Sequence, residues 1–149
     1  MKKKSILINA TIIYLLFSGI GNSKESQYFN KGVELFEKNN FSKSKILFEK
    51  DIVFNPKNEK SYLYLAKIFA KNDNDEEEEI NLANVLLLTP KNDEAIYLMI
   101  LLKIKNSDYT QAEDLINKFD LVCDLFCSKK DEVRKKLKKL KPEDAKNNN

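Results

Sequence analysis

Three features of this 149-residue chain predict an all-α fold, a solenoid of stacked helical pairs. Only three glycines and three prolines are present, too few for the tight turns of an all-β chain. Two segments, Asn55-Pro56-Lys57-Asn58 and Thr89-Pro90-Lys91-Asn92, place their prolines 34 residues apart. Apolar residues between these segments fall at helical spacing, and 42% of the chain is hydrophobic, enough for a packed core.

The first element reads as a leader. Lys2, Lys3 and Lys4 precede an uncharged, mostly apolar stretch over residues 6–20, and Gly19, Gly21 and Ser23 follow before charge resumes at Lys24. That order of basic, apolar and small residues predicts a secretory signal peptide over 1–23. An uncleaved membrane anchor is the alternative; the stretch is short of the ~20 residues that span a bilayer, and it contains Asn9. A cleaved signal would place the protein in the periplasm or outside the cell. No cysteine follows the apolar stretch to accept a lipid.

Helical pairs come next. Tyr28, Gly32, Leu35 and Phe36 lie at i, i+4, i+7 and i+8, and Tyr62, Ala66, Phe69 and Ala70 repeat them one period later. A small residue recurs at the same place, where two closely packed helices would cross. Second helices are expected over 42–54 and 75–88, after polar turns at 38–40 and 72–74. Each proline stops one helix and starts the next, because it lacks an N–H and disfavours helix in the preceding residue. A third pair would begin at Asp93, with its turn at Ser107-Asp108-Tyr109 followed by Ala112.

Residues 123–141 are expected to form a capping helix with a stapled start. Ser128 and Asp131 resemble an N-cap pair, and Val133, Leu137 and Leu140 make a one-sided stripe. Such a cap keeps the last apolar face of a stack out of water. Cys123 and Cys127 are the only cysteines; in an exported chain a structural disulfide is favoured over free thiols and over a redox-active pair. Four residues apart on a continuous helix, their Cβ atoms would be about 5–6 Å apart, against the ~3.8 Å of a disulfide. The bond therefore predicts a helix break near residues 124–126. Residues 142–149 read as a disordered tail.

The 34-residue unit resembles the tetratricopeptide repeat (TPR), a helix-turn-helix with an aromatic, a small residue, a Gly-Asp-Tyr-like turn, an alanine and a closing proline. Tyr28, Gly32, Leu35, Phe41, Ser44, Phe48 and Pro56 occupy those places in the first unit. Tyr62, Leu65, Ala66, Phe69 and Pro90 do so in the second, and residues 107–112 carry the best turn match of the third. Departures are Lys31 and Lys103 at apolar places, Glu78 at a small one, and Ile100 without a closing proline in the third unit. The resemblance implies about three units over 25–122 and a concave groove lined by the first helix of each pair. Carried over residue by residue, that groove would comprise Phe29, Val33 and Phe36, then Leu63, Tyr64, Lys67 and Ala70, then Tyr97, Leu101 and Ile104. The subclass that clamps a C-terminal carboxylate has Lys and Asn where this chain has Phe29 and Val33, so that ligand class is not implied.

Composition narrows the function. The formal charge of +3 is carried by Lys2 to Lys4, so the rest of the chain is neutral. It is polarised, with nine Lys/Arg against four Asp/Glu from Ser128 onward and an acidic body before that. A broad basic face for nucleic acid is missing. No histidine is present, and two thiols alone cannot close a four-ligand zinc site. Asp73-Asn74-Asp75-Glu76 lacks the central glycine of a calcium loop and suits a helix N-terminus. The expectation is a non-enzymatic scaffold without cofactor, docking another protein, a peptide or a second copy in an apolar groove, as in a cell-envelope assembly. The groove residues could instead be covered by the chain's own ends. The alternative function is a membrane-tethered protein whose basic C-terminal helix contacts anionic lipid.

Overall fold

A computed structural model describes residues 26–141, and the expected leader and tail lie outside them. The described residues hold seven α-helices, one 3-10 turn and no strand. In order these are α1 (Gln27–Glu37), α2 (Phe41–Phe54), α3 (Glu59–Lys71), α4 (Asp75–Leu88), α5 (Asp93–Lys105) and α6 (Tyr109–Val122), then the 3-10 turn Cys127–Lys129 and α7 (Lys130–Leu140). Consecutive helices pack against one another, and α7 lies on both α5 and α6. None of them is long and apolar enough to cross a membrane.

The period set by the two prolines runs through the backbone. Helices α2, α4 and α6 begin at Phe41, Asp75 and Tyr109 and end at Phe54, Leu88 and Val122, one constant step apart. Helices α3 and α5, from Glu59 to Lys71 and from Asp93 to Lys105, keep the same step. Each turn inside a pair carries one residue in the left-handed region: Asn39 (φ 58°), Asp73 (φ 51°) and Ser107 (φ 60°). The next N–H reaches back to the carbonyl five residues earlier, Asn40 to Leu35 (2.8 Å), Asn74 to Phe69 (3.0 Å) and Asp108 to Lys103 (2.9 Å). This closes the first helix as a Schellman turn. The same residues, Asn40, Asn74 and Asp108, then cap the second helix by accepting from Lys43, Glu77 and Gln111 N–H. Short polar side chains suit both tasks, since they tolerate left-handed neighbours and compete for backbone donors.

The pairs are held by a crossing whose residues change from one pair to the next. A Cβ on Gly32 would sit 2.8 Å from the Phe48 ring. One period on, Ala66 and Leu82 share one buried cluster, and a further period on, Ile100 and Ile116 share another. Gly–Phe and Ala–Leu fill similar space, whereas the Ile–Ile pair is bulkier, so the third pair packs two branched side chains where the first sets a ring against a glycine. Ser44, beside the first crossing, donates to the Gly32 carbonyl at 2.8 Å.

Two details differ from the sequence expectation. Helix α2 starts at Phe41, one residue early. The cap helix starts at Lys130 with no side-chain cap, because Ser128 is taken into the 3-10 turn ahead of it. Within α7, Val133 and Leu137 are buried, whereas Leu140 is exposed beyond the edge of the stack. Cys123 and Cys127 are disulfide-bonded, with Cα atoms 5.2 Å apart. The expected break is there: Cys123 is extended (φ −61°, ψ 143°), and the chain turns through 124–126 before α7.

Candidate functional site

The ten residues expected in a groove come from α1, α3 and α5, the first helix of each pair. They do not share one level of exposure. Phe29, Leu63, Tyr97 and Ile104 are buried, which corrects the expectation that all ten face solvent. Each is covered by a neighbouring helix. Phe29 lies 5.8 Å from Phe48 and 5.9 Å from Tyr64, ring to ring. Leu63 clusters with Ala95 and Met99 of α5. Tyr97 and Ile104 are roofed by the cap helix, in one cluster with Val133 and Leu137. The Tyr97 hydroxyl donates to Glu132 of α7 at 2.8 Å, and its ring lies 5.8 Å from Phe126. The third unit's share of the stripe is therefore partly closed by the chain's own C-terminal end.

Val33, Phe36, Tyr64, Lys67, Ala70 and Leu101 remain half-buried and accessible. Tyr64 is the centre of this group. Its ring stacks on Phe48 at 4.9 Å and meets Phe36 edge-on at 5.0 Å. Burial first, and then the nearby Glu37 and Glu94 carboxylates, push its hydroxyl pKa up. Lys67 lies 5.1 Å above the Tyr64 ring and pairs with Glu94 of α5 at 2.6 Å. The accessible face is thus an aromatic floor under one ion pair that bridges α3 and α5. Such a surface can hold apolar or aromatic side chains and offers one polar handle. No group of three metal-capable side chains lies among the described residues.

Three acidic residues outside this stripe organise the molecule. Asp51 is fully buried in α2, and its carboxylate accepts from Ser26, Ser61, Asn55 (3.0 Å) and Asn58 (2.7 Å). Burial alone would raise its pKa, but the four hydrogen bonds outweigh it and hold the group below 3.8. Asp93, at the start of α5, accepts the N–H groups of Asp124 (2.7 Å) and Phe126 (2.8 Å) and so pins the disulfide loop. Glu78 occupies the small-residue place of the second unit; burial, with Asp75 nearby, raises its pKa from 4.5 to about 7 against the pull of Lys105.

A shallow groove of about 580 Å³ lies between α4, α5 and α6, with Ala83, Leu86, Met99 and Leu115 in its walls and the Lys103–Glu79 pair (2.6 Å) at its rim. Sequence reasoning had no signal for it, since its walls come from three helices, α4, α5 and α6, whose approach no local pattern records. Asp51 was within reach: Asp51, Val85 and Phe119 hold the same place in successive units, and an acid at a core place followed by Asn55, Asn58 and Ser61 announces a satisfied buried carboxylate. No known protein-family model matches the chain, and no curated protein matches it.

Proposed function

We propose that this chain is an exported TPR-type scaffold that docks a partner protein through the face of α1, α3 and α5. The observation that carries the reading is the repeated turn, with left-handed residues and capping side chains recurring once per helical pair at Asn39–Asn40, Asp73–Asn74 and Ser107–Asp108. Helical-pair stacks of this kind present extended surfaces whose shape comes from the repeats and whose specificity comes from exposed side chains. The accessible stripe from Val33 through Tyr64 to Leu101 is apolar and aromatic, and it suits an amphipathic helix or extended apolar segment laid across α1 and α3. The cap helix limits the site at the third unit, so the ligand is centred on the first two. Photocrosslinking residues at Val33 and Lys67, compared with one at Lys118 on α6, test this in cells. The expected result is a common set of adducts at the first two positions, lost in the double variant Phe36→Glu, Leu101→Glu that retains its helical spectrum. Equal adducts from Lys118, or adducts that survive the double variant, would sink the groove reading. N-terminal sequencing of the cellular protein checks export: a chain still starting at Met1 rules out a cleaved signal.

A further inference from the structure

A second surface repeats with the helical pairs and lies at the opposite end of the helices from the capped turns. Val53, Leu87 and Leu121 hold equivalent places, each next to last in α2, α4 or α6, and they are 74%, 78% and 86% exposed. Phe54 and Leu88 extend the row, and Leu125 (83% exposed) continues it past α6. Single exposed apolar residues are ordinary on a protein surface, but one recurring at the same place in three successive pairs makes a ridge. Neighbouring pairs are spaced by roughly one helix diameter, about 10 Å, so the row is about 20 Å long.

Cations flank it. Lys50 and Lys118 sit one turn before Val53 and Leu121, and Lys57 and Lys91 occupy equivalent places in the loops that follow. All four are exposed, and none forms an ion pair among the described residues. Of the acids on this edge, Asp93 is taken by two backbone N–H groups, Glu94 by Lys67, Asp120 by Arg134 and Glu132 by Lys129, leaving Glu59, Asp124 and Asp131. Ser26 also lies on this edge, since its hydroxyl donates to Asp51 and Tyr28 stacks on Phe54 at 5.6 Å. The chain therefore enters the fold here, directly after the apolar sequence 6–20 and its basic start.

We propose that this edge seats on an anionic lipid surface, with Val53, Phe54, Leu87, Leu121 and Leu125 dipping into the acyl boundary and the lysines at headgroup phosphates. Projecting apolar knobs ringed by cations match a deformable lipid interface better than they match a rigid protein groove. The surface is separate from the α1–α3–α5 face, so either reading can fail without the other. Seated this way, the molecule would stand with its helices upright on the membrane.

The chain contains no tryptophan, so a single one reports cleanly. Full-length protein carrying Leu87→Trp is mixed with vesicles of phosphatidylglycerol and phosphatidylcholine, and Asn72→Trp, at the far end of the pair beside the start of α4, serves as control. The expected result is a blue shift and quenching by bromine-chain lipid for Leu87→Trp alone. The triple variant Val53→Asp, Leu87→Asp, Leu121→Asp should lower vesicle partitioning at least ~10-fold in flotation, since it removes three inserted apolar groups. Partitioning should also weaken with salt and on pure phosphatidylcholine. Quenching of both reporters alike would mean that the protein meets lipid without this orientation, and would overturn the proposal. So would an unquenched Leu87→Trp, equal binding to neutral vesicles, or a reporter already blue-shifted without lipid, which would mean that a second copy or the upstream chain covers the ridge.

Discussion

Gly32 and Phe48 are in van der Waals contact that leaves no room for a methyl group, so Gly32→Ala sets two effects against each other. Alanine gains up to about 1 kcal/mol of helix propensity. Its Cβ would lie 2.8 Å from a buried ring, an overpacking that costs about 1–3 kcal/mol. The ring is fully buried and stacked on Tyr64, with little freedom to move, so the expected net is a loss of about 1–2 kcal/mol in urea unfolding. Adding Phe48→Leu recreates the Ala66–Leu82 pair of the next unit and should recover part of that loss, whereas independent effects would simply add. Glu78 is a second residue with a definite sign. Its folded pKa is about 7 against 4.5, so the folded state holds the extra proton between those values. Stability is therefore full below pH 4.5 and falls as pH rises through 7, by up to about 3 kcal/mol. Asp75 and Lys105 are the charged groups that act on it, Asp75 raising and Lys105 lowering its pKa. Glu78→Ala copies Ala112, the equivalent residue of the third unit, and should flatten the decline in thermal melts between pH 5 and 8. An unchanged slope would show that Glu78 reaches water when ionised.

The elements differ in how plainly the residues announce them. Helices α2 to α6 follow from proline spacing and apolar period, because the same local rules recur in each unit. The left-handed turn residues do not, since Asn39, Asp73 and Ser107 share no residue type; only their position before a capping side chain unites them. Ser107 has the least help from its side chain in that conformation, so Ser107→Gly should raise stability by about 0.5–1 kcal/mol, read as a higher urea midpoint with the same slope. The cap helix was legible as a one-sided stripe, and its true start was not. Backbone N–H bonds to Asp93, 31 and 33 residues away, fix the loop ahead of α7, and no local pattern records them. Closing so short a loop with the Cys123–Cys127 bond is worth about 2 kcal/mol on the chain-entropy model. Reduction should therefore loosen α7 while Asp93 still holds the loop. In hydrogen exchange, Asp93→Asn with the bond reduced should release residues 130–140 and leave α3 and α4 protected; protection retained in α7 would show that Val133 and Leu137 suffice alone.

At the scale of the whole molecule, buried clusters join neighbours only: α1, α2 and α3 share one, α3, α4 and α5 a second, and α5, α6 and α7 a third. The candidate groove was half legible for this reason. Residue type and repeat position name the stripe, but which members are covered depends on how the next pair and the cap helix settle, as Leu63 and Tyr97 show. A chain of nearest-neighbour contacts also unfolds from its ends. The C-terminal end has a disulfide and the Asp93 clamp, whereas the N-terminal pair relies on Asp51, whose carboxylate gathers Ser26 ahead of α1, Asn55 after α2, and Asn58 and Ser61 at the start of α3. Its pKa is lowered on folding, so its contribution is present above 3.8 and is lost as pH falls through the lower folded value. Acid should therefore loosen α1 and α2 before α5 and α6. Hydrogen exchange at pH 2 to 3, compared with pH 6 after correction for intrinsic rates, should show protection lost first across residues 27–54. Asp51→Asn should produce the same ordering at neutral pH, at a cost of about 2–4 kcal/mol, because an amide cannot accept from four donors with equal strength. Simultaneous loss across all helices in both experiments would instead show that the stack unfolds as one unit, with Asp51 stabilising the whole rather than its first joint.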